Sequence, residues 1–111
     1  MSKIWQVHKL TTMFFGERIK QLREEKGLLQ RQLAASLEMD TPMFSKIERG
    51  ERKAKREQVL VLAKLLEVQT DELLTLWLAS RVYSLVSNEK MAIHAIRIVE
   101  ENLSSYAKPN N

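Results

Sequence analysis

Between Gly27 and Gly50, two short apolar-striped segments are joined by a turn of only three or four residues. The first runs from about Gln30 to Leu37 and carries Leu33, Ala34 and Leu37. The second begins at Asp40 or Thr41 and carries Phe44 and Ile47. Both spacings are those of one helix face. Two helices held this close need a small residue where they cross, and Ala34 supplies it. They also need apolar anchors on the inward side of the second helix, and Phe44 and Ile47 fill that role. Asp40 and Thr41 are both capable N-caps, and Pro42 is tolerated in a first helical turn.

Four further helical segments follow from period and punctuation. One spans about Phe14 to Lys26, with Phe15, Ile19 and Leu22 on one face, and stops at Gly27, which suits a positive φ. Another, about Arg56 to Leu66, presents Val59, Leu62, Ala63 and Leu66. Thr70 is expected to cap a fifth helix reaching about Val86, and Asn88 a sixth reaching about Ser105. Leu37-Glu38-Met39-Asp40-Thr41 is echoed by Leu66-Glu67-Val68-Gln69-Thr70, which reads as repeated punctuation (a helix end, a tight turn, a new start) and not as duplication. No strand is expected, so the fold class is all-α. Few glycines (3) and prolines (2) and 6% aromatic residues agree with that.

The expected organisation is a leader over 1–12, a compact domain over 13–78, a helical element over 79–107 and a tail over 108–111. Met1 to Thr12 has neither a sustained apolar core nor a period, so it does not read as a signal peptide. Met13 would serve as a start immediately before the first patterned helix. No stretch approaches the roughly 20 apolar residues of a membrane span. With no cysteine, disulfides and thiolate chemistry are excluded, and a cytoplasmic setting is the natural expectation.

Charge is distributed unevenly. Of 18 basic and 14 acidic residues, six and two fall between Lys46 and Arg56, leaving 12 of each elsewhere. The whole net charge of +4 therefore belongs to one short stretch. A polyanion is the partner such a patch suits, and a solvated charged loop is the plainer alternative. The second short helix also presents Thr41, Pro42, Met43, Ser45, Lys46 and Arg49 on its outward side, a mixture fit for base edges and phosphates in a major groove.

Three runs carry a resemblance: Phe15-Gly16-Glu17-Arg18-Ile19-Lys20-Gln21-Leu22-Arg23, then Gln30-x-x-Leu33-Ala34, then Phe44-Ser45-Lys46-Ile47-Glu48-Arg49-Gly50-Glu51-Arg52. Together they resemble the xenobiotic-response-element (XRE) family of phage-repressor-like helix-turn-helix regulators, over about Phe14 to Leu74. The resemblance implies a five-helix DNA-binding domain, here with an extended C-terminal helical element. It implies that Gln30 meets a phosphate through its side chain and backbone N–H. Thr41 and Pro42 match base-facing positions, and Lys46 a later one, where lysine favours guanine O6 or N7. Arg49, Arg52 and Arg56 match phosphate contacts, and Lys53 joins them in the expected DNA-binding set. Met43 is placed to touch a thymine methyl. Arg23 and Glu48 match a structural ion pair between the first and third helices.

This chain departs from the family pattern at three places. Leu29 stands where a Ser, Thr or Asn cap worth about 1 kcal/mol is usual. Glu38 holds a turn position where glycine is common, at a cost on the order of 1 kcal/mol if φ is positive. Thr41-Pro42 replaces long amides, so bidentate adenine reading from this pair is not available. The family's sequence preference does not carry over.

In the C-terminal third, Ala92, Ile96, Val99 and Leu103 share one helical stripe, while Trp77, Val82 and Leu85 extend the apolar face of the helix before it. These seven residues are expected to form a homodimer interface, setting two recognition helices about 34 Å apart over an inverted repeat in double-stranded DNA. An extra helix closing the monomer core is the plainer alternative. An antitoxin-like protein that binds DNA and holds a second protein through these helices is the competing function, and a small-ligand sensor a third.

Nothing points to an enzyme. His8 and His94 are far apart and lack a further ligand at helical spacing, so no metal site is expected. Glu24-Glu25 and Glu100-Glu101 read as solvated charge and not as acid–base pairs. Ser45 has no histidine beside it in the motif. No glycine-rich phosphate loop exists, and no cofactor is expected.

Overall fold

The structure, a computed structural model, describes residues 14–107. The expected leader (1–12) and tail (108–111) lie outside the described residues. Within them are six helices and no strand: α1 (Phe15–Glu25), α2 (Gln30–Ser36), α3 (Thr41–Glu48), α4 (Arg56–Leu66), α5 (Thr70–Val86) and α6 (Ala92–Ala107). The chain is all-α, as its periodicity predicts. Two helix starts differ from expectation. Thr70 is the first residue of α5 and not its cap. Asn88 does not cap α6, because turns closed by Glu89 N–H on Val86 C=O (2.9 Å) and Ala92 N–H on Glu89 C=O (3.2 Å) take up the intervening residues.

The helices begin in two ways. At α3 the Asp40 carboxylate accepts from Met43 N–H at 2.8 Å, an ordinary N-cap. At α1, α2 and α4 the preceding residues are Phe14, Leu29 and Lys55, with no side-chain cap. There the third helical residue reaches back instead. Glu17, Gln32 and Gln58 accept from the N–H of Phe14, Leu29 and Lys55 at 3.1, 2.7 and 2.8 Å. This is half of a capping box, and it satisfies one orphan donor at each start.

Four successive helices end in one way. The N–H groups of Leu28, Met39, Glu51 and Val68 each bond to a carbonyl five residues back, on Arg23, Ala34, Lys46 and Ala63, at 2.8–3.0 Å. The residue before each has positive φ: Gly27 at 68°, Glu38 at 58°, Gly50 at 79° and Glu67 at 57°. These are Schellman turns, in which an apolar residue after the turn packs back on the helix. Leu28, Met39 and Val68 do so, lying against the core. Glu51, after α3, breaks the series. The sequence echo at Glu38 and Glu67 is thus a repeated turn, made twice with a residue that strains there.

The chain forms two compact units divided between Arg81 and Val82, within α5. In the first unit Phe44, Ile19, Leu33, Leu62, Leu66, Leu73 and Val59 are fully buried. Truncating a side chain such as Phe44 in such a core typically costs about 3–5 kcal/mol. The most extensive helix pairing is α2 against α3, with Ala34 buried as the small residue. α1 also packs on α3 at Gly16, where an added Cβ would run into the carbonyl of Glu48 and lie 2.6 Å from that of Ile47. Ser80 Oγ on α5 accepts the free N–H of Phe15 at 3.2 Å, and Arg18 on α1 pairs with Glu72 on α5. In the second unit, α6 leaves Ile93, Ile98, Val99 and Leu103 exposed.

Candidate nucleic-acid interface

The inward face of α3 is held from several directions. Phe44 and Ile47 are buried in the core. Glu48, beside them and also buried, meets Arg23 of α1 through two hydrogen bonds, Nε to Oε2 at 2.7 Å and Nη2 to Oε1 at 3.1 Å. Arg23 also donates to Leu28 C=O at 2.9 Å. Hydrogen bonding to Glu48 raises the guanidinium pKa above its ordinary value, against the opposing effect of burial. Charge and geometry are therefore satisfied together, which a buried pair requires.

Gln30 is drawn into the same arrangement. Its Nε2 donates to Glu48 Oε1 at 2.8 Å. Its side chain, expected to face a phosphate, lies half-buried between α2 and α3.

The outward face carries what remains. Pro42, Lys46 and Arg49 are exposed; Thr41, Met43 and Ser45 are half-exposed. Arg49 is engaged locally, donating to both Glu51 carboxylate oxygens at 3.0 and 3.2 Å and to Ser45 Oγ. Those hydrogen bonds, followed by Arg49's charge, hold the Glu51 carboxyl below its ordinary pKa. In this way Glu51 stands in the solvent at the one Schellman turn without an apolar lock. Lys46, Arg52, Lys53 and Lys55 make no ion pair among the described residues. Unpaired cations thus run from α3 through the following turn toward α4.

One residue of the expected intersubunit surface stands elsewhere. Trp77, expected at an intersubunit surface, belongs to the core of the first unit: it is 6% exposed, and its indole N–H donates to Ala54 C=O at 2.8 Å. A large ring with one donor is stable inside only when that donor is matched, and the backbone beside Lys55 matches it. Arg56 lies over the same ring, with its guanidinium carbon 5.2 Å from the centroid. The other residues expected at that surface belong to the second unit. Val82, Leu85, Val99 and Leu103 are exposed, Ile96 barely so, and Ala92 is half-buried. Sequence reading missed the supports of this site, Gln32 and Gln58 at the helix starts and Ser80 on α5. The first two carried a signal, an acceptor side chain three residues after a helix boundary. Ser80 carried none.

His94 lies exposed on α6, and His8 is outside the described residues. Among the described residues no group of three or more His, Cys, Asp or Glu side chains could hold a metal ion. No helix among them is long and apolar enough to cross a membrane.

Two short packed helices, the second with a buried inner face and a cationic outer flank, define a helix-turn-helix protein. A helix-turn-helix domain family matches residues 15–76, more than half of the chain. The chain belongs to that family, and so to the DNA-binding regulators. No curated protein and no solved structure matches it.

Proposed function

We propose that the chain is a sequence-specific regulator of the XRE type, a repressor acting at a nearby promoter, which inserts α3 into the major groove of double-stranded DNA as a homodimer. The observation behind this reading is the division of α3 itself: Phe44, Ile47 and Glu48 are buried, while Lys46 is exposed and, like Arg52 and Lys53, makes no ion pair among the described residues. Thr41, Pro42, Met43, Ser45 and Lys46 would face bases. Arg49, Arg52, Lys53 and Arg56, with the backbone N–H of Gln30, would face phosphates. Phosphate contacts dominate affinity, so binding should fall steeply with salt. Selection of bound sites from random duplex DNA, followed by titration of Lys46→Ala and Arg52→Ala, tests the reading. Unchanged binding to the selected site in both variants would refute the placement.

The homodimer part of this reading rests on the second unit. Ala92, Ile96, Val99 and Leu103 recur at alternating spacings of four and three, the seam of a helix pair. Ile96, Val99 and Leu103 are 37%, 54% and 61% exposed, more apolar surface than a solvated helix needs. A second copy bringing the same stripe, with Val82 and Leu85, would cover it and place two α3 helices about 34 Å apart over an inverted repeat. The organisation we assign is therefore a DNA-binding domain over 13–78 and a dimerisation element over 79–107, flanked by a leader (1–12) and a tail (108–111). The same stripe is what favours an antitoxin-like second reading, in which another protein covers it. Solution mass separates the two: a dimer of the pure chain supports the first, and a monomer that pairs at fixed stoichiometry with a co-purified protein supports the second.

A further inference from the structure

Arg81 is the only charged residue between Glu72 and Glu89, a stretch that spans most of α5. It is exposed, in the first unit, and makes no ion pair among the described residues. Its guanidinium carbon lies 4.7 Å from the centroid of Trp77, the ring that also carries Arg56 at 5.2 Å. The two charges are therefore no farther apart than those distances combined. Trp77 is bonded through its indole N–H to Ala54 C=O, in the middle of the basic stretch Arg52 to Arg56. One buried ring thus connects an isolated cation on α5 to the cationic turn that follows α3.

We infer that Arg81 is a further contact to the phosphodiester backbone of the duplex that α3 enters, with Trp77 the platform that orients Arg56 and Arg81 toward it. A guanidinium stacked on an aromatic face is fixed in plane, yet its N–H groups point outward along its edges, free for phosphate oxygens. Two like charges gathered on one ring, neither paired with a carboxylate among the described residues, repel each other in the free protein. A polyanion relieves that repulsion. The inference rests on the proposed DNA reading and extends its footprint from α3 and α4 to α5, a helix outside the motif.

The test uses the full chain, a labelled random-sequence duplex and a sodium chloride series, with wild type, Arg81→Gln, Arg81→Lys and Lys46→Ala compared by fluorescence anisotropy. Gln and Lys both keep a long stem over the indole, and only Lys keeps the charge. We expect Arg81→Gln to bind about fivefold to tenfold more weakly at 0.1 M salt, with the slope of log affinity against log salt reduced by about one. Arg81→Lys should retain the wild-type slope. If Arg81→Gln matches wild type in affinity and slope while Lys46→Ala does not, Arg81 merely covers the indole; the inference then fails and the DNA reading stands. If wild type shows no salt-dependent duplex binding, both fall.

Discussion

Arg23 and Glu48 meet through two hydrogen bonds of 2.7 and 3.1 Å, and Glu48 accepts a third, from Gln30, at 2.8 Å. One carboxylate therefore joins α1, α2 and α3. It sits in the last turn of α3, so the helix that would enter DNA is fixed at its far end by charge and at its near end by the Asp40 cap.

Glu48→Leu should lower stability by about 3 kcal/mol, because it leaves the Arg23 guanidinium buried without its partner. Arg23→Met alone should cost a similar amount. The double variant Arg23→Met with Glu48→Leu should recover much of the loss, since two apolar side chains need no compensation. Urea denaturation of the four proteins measures this. Strictly additive losses would show that the pair is not coupled.

Gly16 and Gly27 call for glycine for different reasons. At Gly16 a Cβ would strike the α3 carbonyls of Ile47 and Glu48, which cannot move aside as a side chain would. At Gly27 there is open space, and only the φ of 68° is unfavourable. Gly16→Ala should cost about 2–3 kcal/mol by forcing α1 off α3, and Gly27→Ala about 1 kcal/mol. Thermal melts rank the two, and an equal or reversed order would contradict the close approach.

Glu38 and Glu67 each occupy a left-handed turn that favours glycine. Glu38→Gly should raise stability by roughly 0.5 kcal/mol, the relief of strain exceeding the added freedom of the unfolded chain. Glu67→Gly should gain less, because it also removes the exposed pair with Lys26 at 2.9 Å. A melting temperature that falls in the Glu38 variant would refute the strain argument.

Glu51 holds the Arg49 guanidinium that the proposed complex would give to a phosphate. Its pKa is lowered, so the pair persists at all pH values above the ordinary carboxylate range and is lost only as pH falls through the lowered value. At neutral pH Arg49 stays occupied. Glu51→Gln should therefore tighten duplex binding severalfold at low salt and less at high salt, with little change in melting temperature because the pair is exposed. Anisotropy titration at two salt concentrations checks this, and equal or weaker binding would show that Glu51 does not hold Arg49 back.

The helices were legible in the sequence because apolar spacing is a local property. Phe15, Ile19 and Leu22, Leu33 and Ala34, Phe44 and Ile47, and Val59, Leu62 and Leu66 all read as inward-facing and are buried. The turns were legible where glycine marks them, and the echo at Glu38 and Glu67 carried the same turn without glycine. What the sequence could not show were groups satisfied by residues far along the chain. The α1 N–H at Phe15 waits for Ser80, the Trp77 indole for Ala54, and the Gln30 amide for Glu48. Apolar period placed Trp77 on a surface with Val82 and Leu85, and only the meeting of its N–H with a loop carbonyl drew it inward. Helix periodicity arises from neighbours three and four residues apart. Matching a buried donor to an acceptor 65 or 23 residues away requires the chain to have closed on itself.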